Sequence, residues 1–158
     1  VGNIYFQRYL KVLQNMKFSA QEAEIYPILA LPNMRRCCID ATGIGAQFAE
    51  RAQEKFGKYR VEAVTFTNAV KADMAYKIRA AFEDRNVRIS DDKDTRADFR
   101  SIKKEITSSG AIRFDAERTD ALGHGDRFWG AALGFHAGAK PNQSYIKPVQ
   151  LERSGRFM

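Results

Sequence analysis

The apolar residues of this chain recur at two different spacings, and the spacing changes several times along its length. Alternating or continuous apolar runs of four to eight residues are typical of strands, whereas apolar residues three or four positions apart are typical of amphipathic helices. The clearest helical stripe is formed by Val70, Met74, Ile78 and Phe82. The pattern predicts one long strand or a hairpin at residues 3–15, strands at 35–40, 59–66, 86–90 and 111–117, and helices at 19–31, 44–56, 69–84, 95–108 and 124–137.

This order of elements predicts the fold class. Strands and helices alternate after the first strand region, and such alternation indicates a layered α/β fold whose central portion is largely parallel. The sequence contains no internal repeat and no sign of a second folded domain. We therefore expect one domain over residues 1–138, followed by an extended basic tail at 139–158, in which Pro141 and Pro148 interrupt a segment without periodicity.

Two helix starts carry recognisable signals. Ser19 and Glu22 have the spacing of a capping box, in which the serine caps the helix and the glutamate reaches back to its first turn. Asp91, Asp92 and Asp94 precede the helix predicted at 95–108, where carboxylates favour the positive end of the helix dipole. The aspartates lack the glycine and the terminal glutamate of an EF-hand loop, so we interpret them as capping residues.

Composition and charge narrow the range of partners. The 158 residues include 26 Lys and Arg against 19 Asp and Glu, a net charge of +7, which suits a phosphate-rich partner without requiring one. No apolar run approaches the roughly 20 residues of a membrane span, and no secretory leader is visible. Cys37 and Cys38 are adjacent in a predicted strand and point to opposite faces, so we expect no mutual disulfide and a reduced, cytoplasmic chain.

The candidate chemistry centres on two aspartates. Asp40 ends the apolar run 36–39 and is followed at once by the glycine-containing sequence 41–45, which places its carboxylate at the carboxyl end of a strand. Asp126 stands in the first turn of the last predicted helix, two residues after His124. Carboxylate oxygens are the hard ligands that Mg²⁺ and Mn²⁺ prefer. His124 is a candidate for proton transfer or for orienting a ligand.

Each of these residues also has a plainer interpretation. Asp40 could simply cap the turn that follows it, and Asp126 could serve only as a helix-start acid. The glycines at 43 and 45 could instead cradle a phosphate, although Phe48 replaces the third glycine of a dinucleotide fingerprint and no Walker sequence is present.

Other catalytic classes find little support. The chain has no Gly-x-Ser-x-Gly sequence, its two cysteines lie in an apolar run where thiols are usually inert, and no Cys and His residues have the spacing of a zinc site. Asp115 and Glu117 on the strand at 111–117 are further candidate acids, for which a solvated strand face is the simpler explanation.

Four segments together resemble the C-terminal nuclease domain of phage large terminase subunits, with the terminases of Mu-like phages and prophages most similar. These segments are 38–45, Val64 to Thr67 together with Lys71, 112–118, and His124 to Trp129. The resemblance spans roughly residues 5–138. No single segment is specific, but their order and spacing are.

The resemblance implies a ribonuclease H-like fold, a mixed sheet of five or more strands flanked by helices, and cleavage of double-stranded DNA during genome packaging in the host cytoplasm. It implies Mg²⁺ or Mn²⁺ as the cofactor, with Asp40 and Asp126 as metal ligands and His124 assisting catalysis. Lys71, Arg118 and Arg127 are the implied phosphate contacts. In a full-length protein the portal and other terminase subunits would be partners, and no membrane is involved.

The family has a third core carboxylate, on its first strand, and this chain has no Asp or Glu before Glu22. The strand region at 3–15 resembles the second strand of the family, so we expect the first acidic strand and the ATPase motor domain to be missing from this chain. Such a chain would bind metal weakly and cleave poorly or not at all. The alternatives are a catalytically silent DNA-binding or packaging-assembly module, and a nucleotide-binding protein that uses the loop at 40–45.

Overall fold

The computed structural model describes residues 4–116 and 125–139. Its elements follow the predicted order with one additional strand. They are β1 (Tyr5–Phe6), α1 (Phe18–Leu29), β2 (Cys37–Asp40), α2 (Gly45–Phe56), β3 (Val61–Val64), α3 (Asn68–Glu83), β4 (Val87–Arg88), α4 (Lys93–Ser101), β5 (Ile102–Ile106), β6 (Ile112–Ala116) and α5 (Asp126–Ala139).

Two predicted elements differ from the structure. The strand expected at 3–15 is reduced to the two residues of β1, which pair with β4. The helix expected at 95–108 ends at Ser101, and the next five residues form β5 instead. Ile102 and Ile106 are four residues apart, a spacing that fits one face of a helix and equally one face of a strand. Antiparallel pairing with β6 along the whole of β5 decides the outcome in favour of the strand.

One predicted helix cap is wrong and the other is confirmed. Helix α1 begins at Phe18, so Ser19 lies inside the helix, and the capping position is occupied by Lys17 without a side-chain hydrogen bond. The N–H groups of Ala20 and Gln21 donate to the carbonyl oxygen of Lys17, and the ring of Phe18 packs against Phe48 of α2. Asp92 does cap α4, because its Oδ1 accepts a hydrogen bond from the backbone N–H of Thr95 at 2.9 Å.

The strands of the described residues pair two by two. β1 pairs with β4 and β2 with β3, both in parallel, whereas β5 and β6 form an antiparallel hairpin. The parallel pair β2–β3 matches Asp40 with Val64 at its carboxyl end. The mixture of parallel and antiparallel pairs agrees with the mixed α/β fold expected from the sequence.

Two apolar clusters cover the opposite faces of the β2–β3 pair. On one face, Cys37 and Ile39 pack with the cluster of Leu29, Ala52 and Val61, where α1 and α2 meet the strands. On the other face lies a larger cluster, with Cys38 at its edge, that joins the strands to α3 and α5; its buried members are Val64, Met74, Ala75, Ile78, Phe128, Trp129, Ala132 and Leu133. The pair is therefore the middle layer of a three-layer arrangement.

The alternation along β2 confirms that Cys37 and Cys38 face opposite sides of the sheet, and both cysteines are free. No helix in the described ranges is long and apolar enough to cross a bilayer. The basic tail predicted at 139–158 falls, apart from Ala139 itself, outside the described residues.

Candidate functional site

Asp40 occupies a tightly turned corner at the carboxyl end of β2. Its Oδ1 accepts a hydrogen bond from the backbone N–H of Thr42 at 2.9 Å. The chain then returns so closely that a Cβ on Gly45 would lie 2.2 Å from the carbonyl oxygen of Asp40. The plainer interpretation of Asp40, a residue that caps its own turn, is thus observed. The close approach also accounts for a glycine at 45 without a bound phosphate.

The direction of the Asp40 side chain follows from the pleat of β2. Side chains two residues apart on a strand share a face, so Asp40 belongs to the same side of the sheet as Cys38. Cys38 packs on the cluster that contains α5. The adjoining loop is fixed by Thr42, whose Oγ1 accepts a hydrogen bond from the N–H of Phe66 at 2.9 Å and so links the segments that follow β2 and β3.

Asp126 is the first residue of α5, and it is exposed. Two contacts fix the direction of this helix against the sheet. Trp129 packs on Phe66, just beyond the carboxyl end of β3, with ring centroids 5.4 Å apart. Nε2 of His136, near the end of α5, lies 3.7 Å from Oε1 of Glu62 within β3. Helix α5 therefore runs antiparallel to β3, and its first turn lies toward the edge at which β2 ends.

Lys71 of α3 lies at this same edge. Its Nζ is 4.8 Å from the ring centroid of Trp129 and 3.6 Å from Oδ1 of Asp115 on β6. Asp115 also forms an ion pair with Arg113. Partial burial opposes ionisation of Asp115, but the hydrogen bond from Arg113 and the charge of Lys71 outweigh it and hold the pKa of Asp115 below its ordinary value. Asp115 is therefore an ion-paired residue beside the edge, which its sequence context did not reveal.

Arg127 is held by two carboxylates of α4. Its backbone N–H donates to Oδ2 of Asp98 at 2.9 Å, and its guanidinium lies 3.8 Å from that oxygen and 3.3 Å from Oδ2 of Asp94. Asp98 is 6% exposed, so this contact is a buried link between α4 and α5. The structure thus gives Arg127 a packing role that the sequence did not predict.

Three of the residues singled out in the sequence fall outside the described residues. These are His124, Arg118 and the acid Glu117. Their positions relative to Asp40 and Asp126 remain predictions.

The donor set at the carboxyl edge of β2 suits a hard divalent cation. Asp40 and Asp126 each supply carboxylate oxygens, and Mg²⁺ is commonly bound through one or two carboxylates with water and substrate phosphate completing its octahedron. Within residues 4–116 and 125–139, neither aspartate belongs to a close group of three metal-binding side chains. Asp115, the other acid beside this edge, is paired with Lys71 and Arg113.

A different group of side chains does meet closely, and the sequence did not indicate it. Cys38, Glu62 and His136 offer a sulfur, a carboxylate oxygen and an imidazole nitrogen that lie within 4.8 Å of one another. Cys38 and Glu62 are partners in the β2–β3 register, and His136 comes from α5. Because three separate elements contribute, no spacing along the chain could reveal the group. Burial, followed by the charge of Glu62, raises the pKa of the Cys38 thiol to about 11.

The overall fold resembles solved nuclease domains. The crystal structure of the large terminase nuclease from thermophilic phage G20c aligns with a TM-score of 0.66 at 18% identity, covering 78% of this chain and 64% of that one. The same nuclease with bound magnesium aligns at 0.63 and 20% identity, covering 77% and 62%. With bound cobalt it aligns at 0.64 and 19% identity, covering 78% and 64%. At these identities the likeness establishes the fold.

Sequence comparison agrees with the fold. The chain is 29% identical over 120 residues to a protein of Escherichia phage Mu described as "Probable terminase, large subunit gp28". That alignment covers 72% of this chain and 21% of the phage Mu protein, so the chain spans about a fifth of the length of this relative.

A family model described as "Terminase RNaseH-like domain" matches residues 7–137, which is most of the chain and includes both strands of the β2–β3 pair and nearly all of α5. The resemblance to a ribonuclease H-like terminase domain, drawn from the four sequence segments, is thereby confirmed, and the chain belongs to the terminase RNaseH-like domain family.

Proposed function

We propose that this chain is the metal-dependent endonuclease domain of a phage DNA-packaging terminase large subunit, and that it cuts double-stranded DNA. Asp40 and Asp126 would hold Mg²⁺ or Mn²⁺ between them. The observation that supports this most strongly is the antiparallel direction of α5, fixed by Trp129 on Phe66 and by His136 beside Glu62. This direction points the Asp126 end of α5 toward the end of the sheet at which β2 stops, which supports a shared site with Asp40.

The roles of the residues follow from their surroundings. Asp40 is oriented by the N–H of Thr42, which occupies one of its oxygens and leaves the other for a cation. The bound cation would supply charge to stabilise the phosphodiester in the transition state and to lower the pKa of an attacking water. Lys71, held between Trp129 and Asp115, presents positive charge beside this edge for a DNA phosphate.

The other residues predicted from the sequence would contribute to cleavage or to DNA binding in different ways. His124 would orient water or move a proton, and Arg118 would contact the DNA backbone. Arg127 contributes less, because two carboxylates already neutralise it. In a full-length terminase the domain would act beside an ATPase motor, with the portal and other terminase subunits as partners.

A plasmid-nicking assay with Mn²⁺ tests the proposed site. We expect Asp40→Ala and Asp126→Ala each to reduce nicking by about a hundredfold or more, since removing a charge-stabilising group at such a site typically costs at least that. Asp73→Ala is the control, because Asp73 is an exposed acid on α3 paired only with Lys77 among the described residues. Nicking that persists unchanged in both site variants would show that the assigned aspartates are wrong.

DNA binding tests Lys71 separately. Lys71→Gln should weaken binding to duplexes of any sequence and reduce the slope of log affinity against log salt by about one. Lys77→Gln is the matched control on the same helix, since Lys77 is exposed and pairs with Asp73 at 2.7 Å. Equal loss of affinity in the two variants would contradict a specific phosphate contact at Lys71.

A catalytically silent DNA-binding or assembly module is the second candidate. It is favoured by one observation, that no third carboxylate among the described residues joins Asp40 and Asp126 in a close group. This candidate predicts that the chain binds DNA with strong salt dependence but does not nick it with Mg²⁺ or Mn²⁺.

A further inference from the structure

We propose that Cys38, Glu62 and His136 form a second metal site, selective for a borderline-soft cation of the Zn²⁺ type and separate from the acidic pair. The three side chains come from β2, β3 and α5, and each is only partly exposed to solvent. A thiolate, a carboxylate and an imidazole are together a ligand set used by zinc sites in proteins. This proposal does not depend on the nuclease function.

The distances fit a tetrahedral ion. Sγ of Cys38 lies 3.5 Å from Oε2 of Glu62, and Nε2 of His136 lies 3.7 Å from Oε1 of the same carboxylate. Ligand atoms around a tetrahedral zinc ion are about 3.3–3.8 Å apart, given bond lengths of about 2.0–2.3 Å. Each oxygen of Glu62 thus lies at such a spacing from one of the other two donors, and the separation between Cys38 and His136 is within 4.8 Å. A rotation of either side chain would close it, and water would supply the fourth ligand.

The site differs from the acidic pair in its chemistry and in the part of α5 that it uses, although Cys38 lies only two residues before Asp40 on β2. His136 follows Asp126 by ten positions on α5, which corresponds to about 15 Å along the helix. Two carboxylates select hard ions such as Mg²⁺, whereas a thiolate and an imidazole select Zn²⁺ or Co²⁺. The two sites would therefore take up different metals from a mixture.

Arg36 would compete with a bound cation for the carboxylate of Glu62. Its guanidinium forms an ion pair with Glu62, and its Nε is buried without a hydrogen-bond partner among the residues that the structure describes. Without a metal, the Arg36 charge compensates the carboxylate. A bound cation must share Glu62 with that guanidinium, and the thiol proton of Cys38 is released to solvent on binding. Removing the Arg36 charge should therefore tighten binding of the cation.

The consequence for the protein is structural. A metal bound by all three ligands would fasten the end of α5 to the β2–β3 pair, reinforcing the direction of the helix. An ion that binds only the folded state stabilises it in proportion to the logarithm of its concentration over its dissociation constant. Zn²⁺ should thus raise the unfolding temperature without any change in DNA cleavage being required.

Cobalt absorption tests the proposal, using the whole chain freed of metal by a chelator. Co²⁺ should produce a thiolate-to-cobalt charge-transfer band in the native protein, and Zn²⁺ should abolish the band by displacement. Cys38→Ser should eliminate it, and His136→Asn should weaken Co²⁺ affinity by about tenfold or more. Cys37→Ser is the matched control, because Cys37 faces the opposite side of the sheet. Arg36→Gln should increase the affinity.

Thiol alkylation provides a second measurement that needs no ligand variant to fold. In the Cys37→Ser protein, Cys38 is the remaining thiol, and Zn²⁺ at micromolar concentration should slow its reaction with iodoacetamide at least severalfold. Absence of a cobalt band in the native protein, or a band that depends equally on Cys37, would overturn the proposal. Unchanged alkylation with Zn²⁺ would overturn it as well, and the three side chains would then form only a hydrogen-bonded network.

Discussion

The indole of Trp129 packs on the ring of Phe66 at a centroid distance of 5.4 Å, just beyond the carboxyl end of β3. Since Trp129 lies one turn into α5, this contact sets the start of the helix near Phe66, whose N–H donates to Thr42 in the turn that follows Asp40. Lys71 reinforces the arrangement from α3, because its Nζ lies over the same indole. The packing of one tryptophan thus relates the two aspartates on which the proposed metal site depends.

The turn after β2 should not tolerate a side chain at Gly45. A Cβ at this position would lie 2.2 Å from the carbonyl oxygen of Asp40, so Gly45→Ala must displace backbone. We expect a loss of about 1–3 kcal/mol in the free energy of unfolding by urea, the usual cost of overpacking, together with loss of any nicking activity. Gly134→Ala in α5 is the control, since a Cβ there meets no atom of the described part of the chain within 4 Å. Equal stability of the two variants would contradict the close approach.

The link between α4 and α5 depends on Asp98 more than on Asp94. Asp98 is buried and accepts from the N–H of Arg127, so Asp98→Ala should lower the free energy of unfolding by about 1–3 kcal/mol. The side chain of Asp94 is 69% exposed, and Asp94→Ala should cost at most about 1 kcal/mol. Urea titration of the two variants measures the difference. A larger loss for Asp94 would contradict the assigned contacts.

The sequence predicts that Asp92 and Ser19 both cap helices, and the structure assigns a capping role to Asp92 but not to Ser19. Asp92 caps α4 by accepting from the N–H of Thr95, so Asp92→Ala should destabilise the fold by about 0.5–2 kcal/mol. Ser19 lies inside α1 and caps nothing, so Ser19→Ala should change stability by no more than about 0.5 kcal/mol. Thermal or urea unfolding of both variants tests the assignment, and a costly Ser19→Ala would favour the capping box instead.

Asp115 should make folding stability depend on acidity. Its folded-state pKa lies below its ordinary value, so the unfolded chain binds a proton more readily. The stabilisation is fully present above the unfolded pKa of about 3.9 and is lost as the pH falls through the folded pKa. Urea unfolding of the native protein and of Asp115→Asn should therefore differ most above pH 5 and converge on acidification. A constant difference down to pH 2.5 would contradict this contribution.

Much of the fold could be predicted from the periodicity of the chain. The stripe through Val70, Met74 and Ile78 lies on α3 as expected, and the strand that ends at Asp40 is β2. The failure at residues 102–106 has a physical cause, because isoleucines four apart suit a helix or a strand equally well. Only the pairing of β5 with β6, a contact made in the folded chain, distinguishes the two.

For the candidate site too, some features could be predicted from the sequence and others depend on contacts made only in the folded chain. Position in sequence singled out Asp40 and Asp126 as candidates, and the structure confirms that one ends a strand and the other begins a helix; their role as metal ligands stays a prediction. Position in sequence could not reveal that Arg127 is occupied by Asp98, nor that His136 meets Glu62 and Cys38. These contacts join elements that are far apart in the chain. They can be recognised only when the direction in which α5 packs on the sheet is known.

A double-mutant cycle of Mn²⁺ affinity tests most directly whether Asp40 and Asp126 bind the same metal centre. Calorimetric titration would compare the native chain with Asp40→Asn, Asp126→Asn and the double variant, each in the Cys38→Ser background to exclude the soft site. If both carboxylates serve one centre, the double variant should bind Mn²⁺ little more weakly than either single variant, because residues that share a ligand are strongly non-additive. Losses of binding free energy that add fully, or single variants that bind Mn²⁺ as tightly as the native chain, would contradict the shared site.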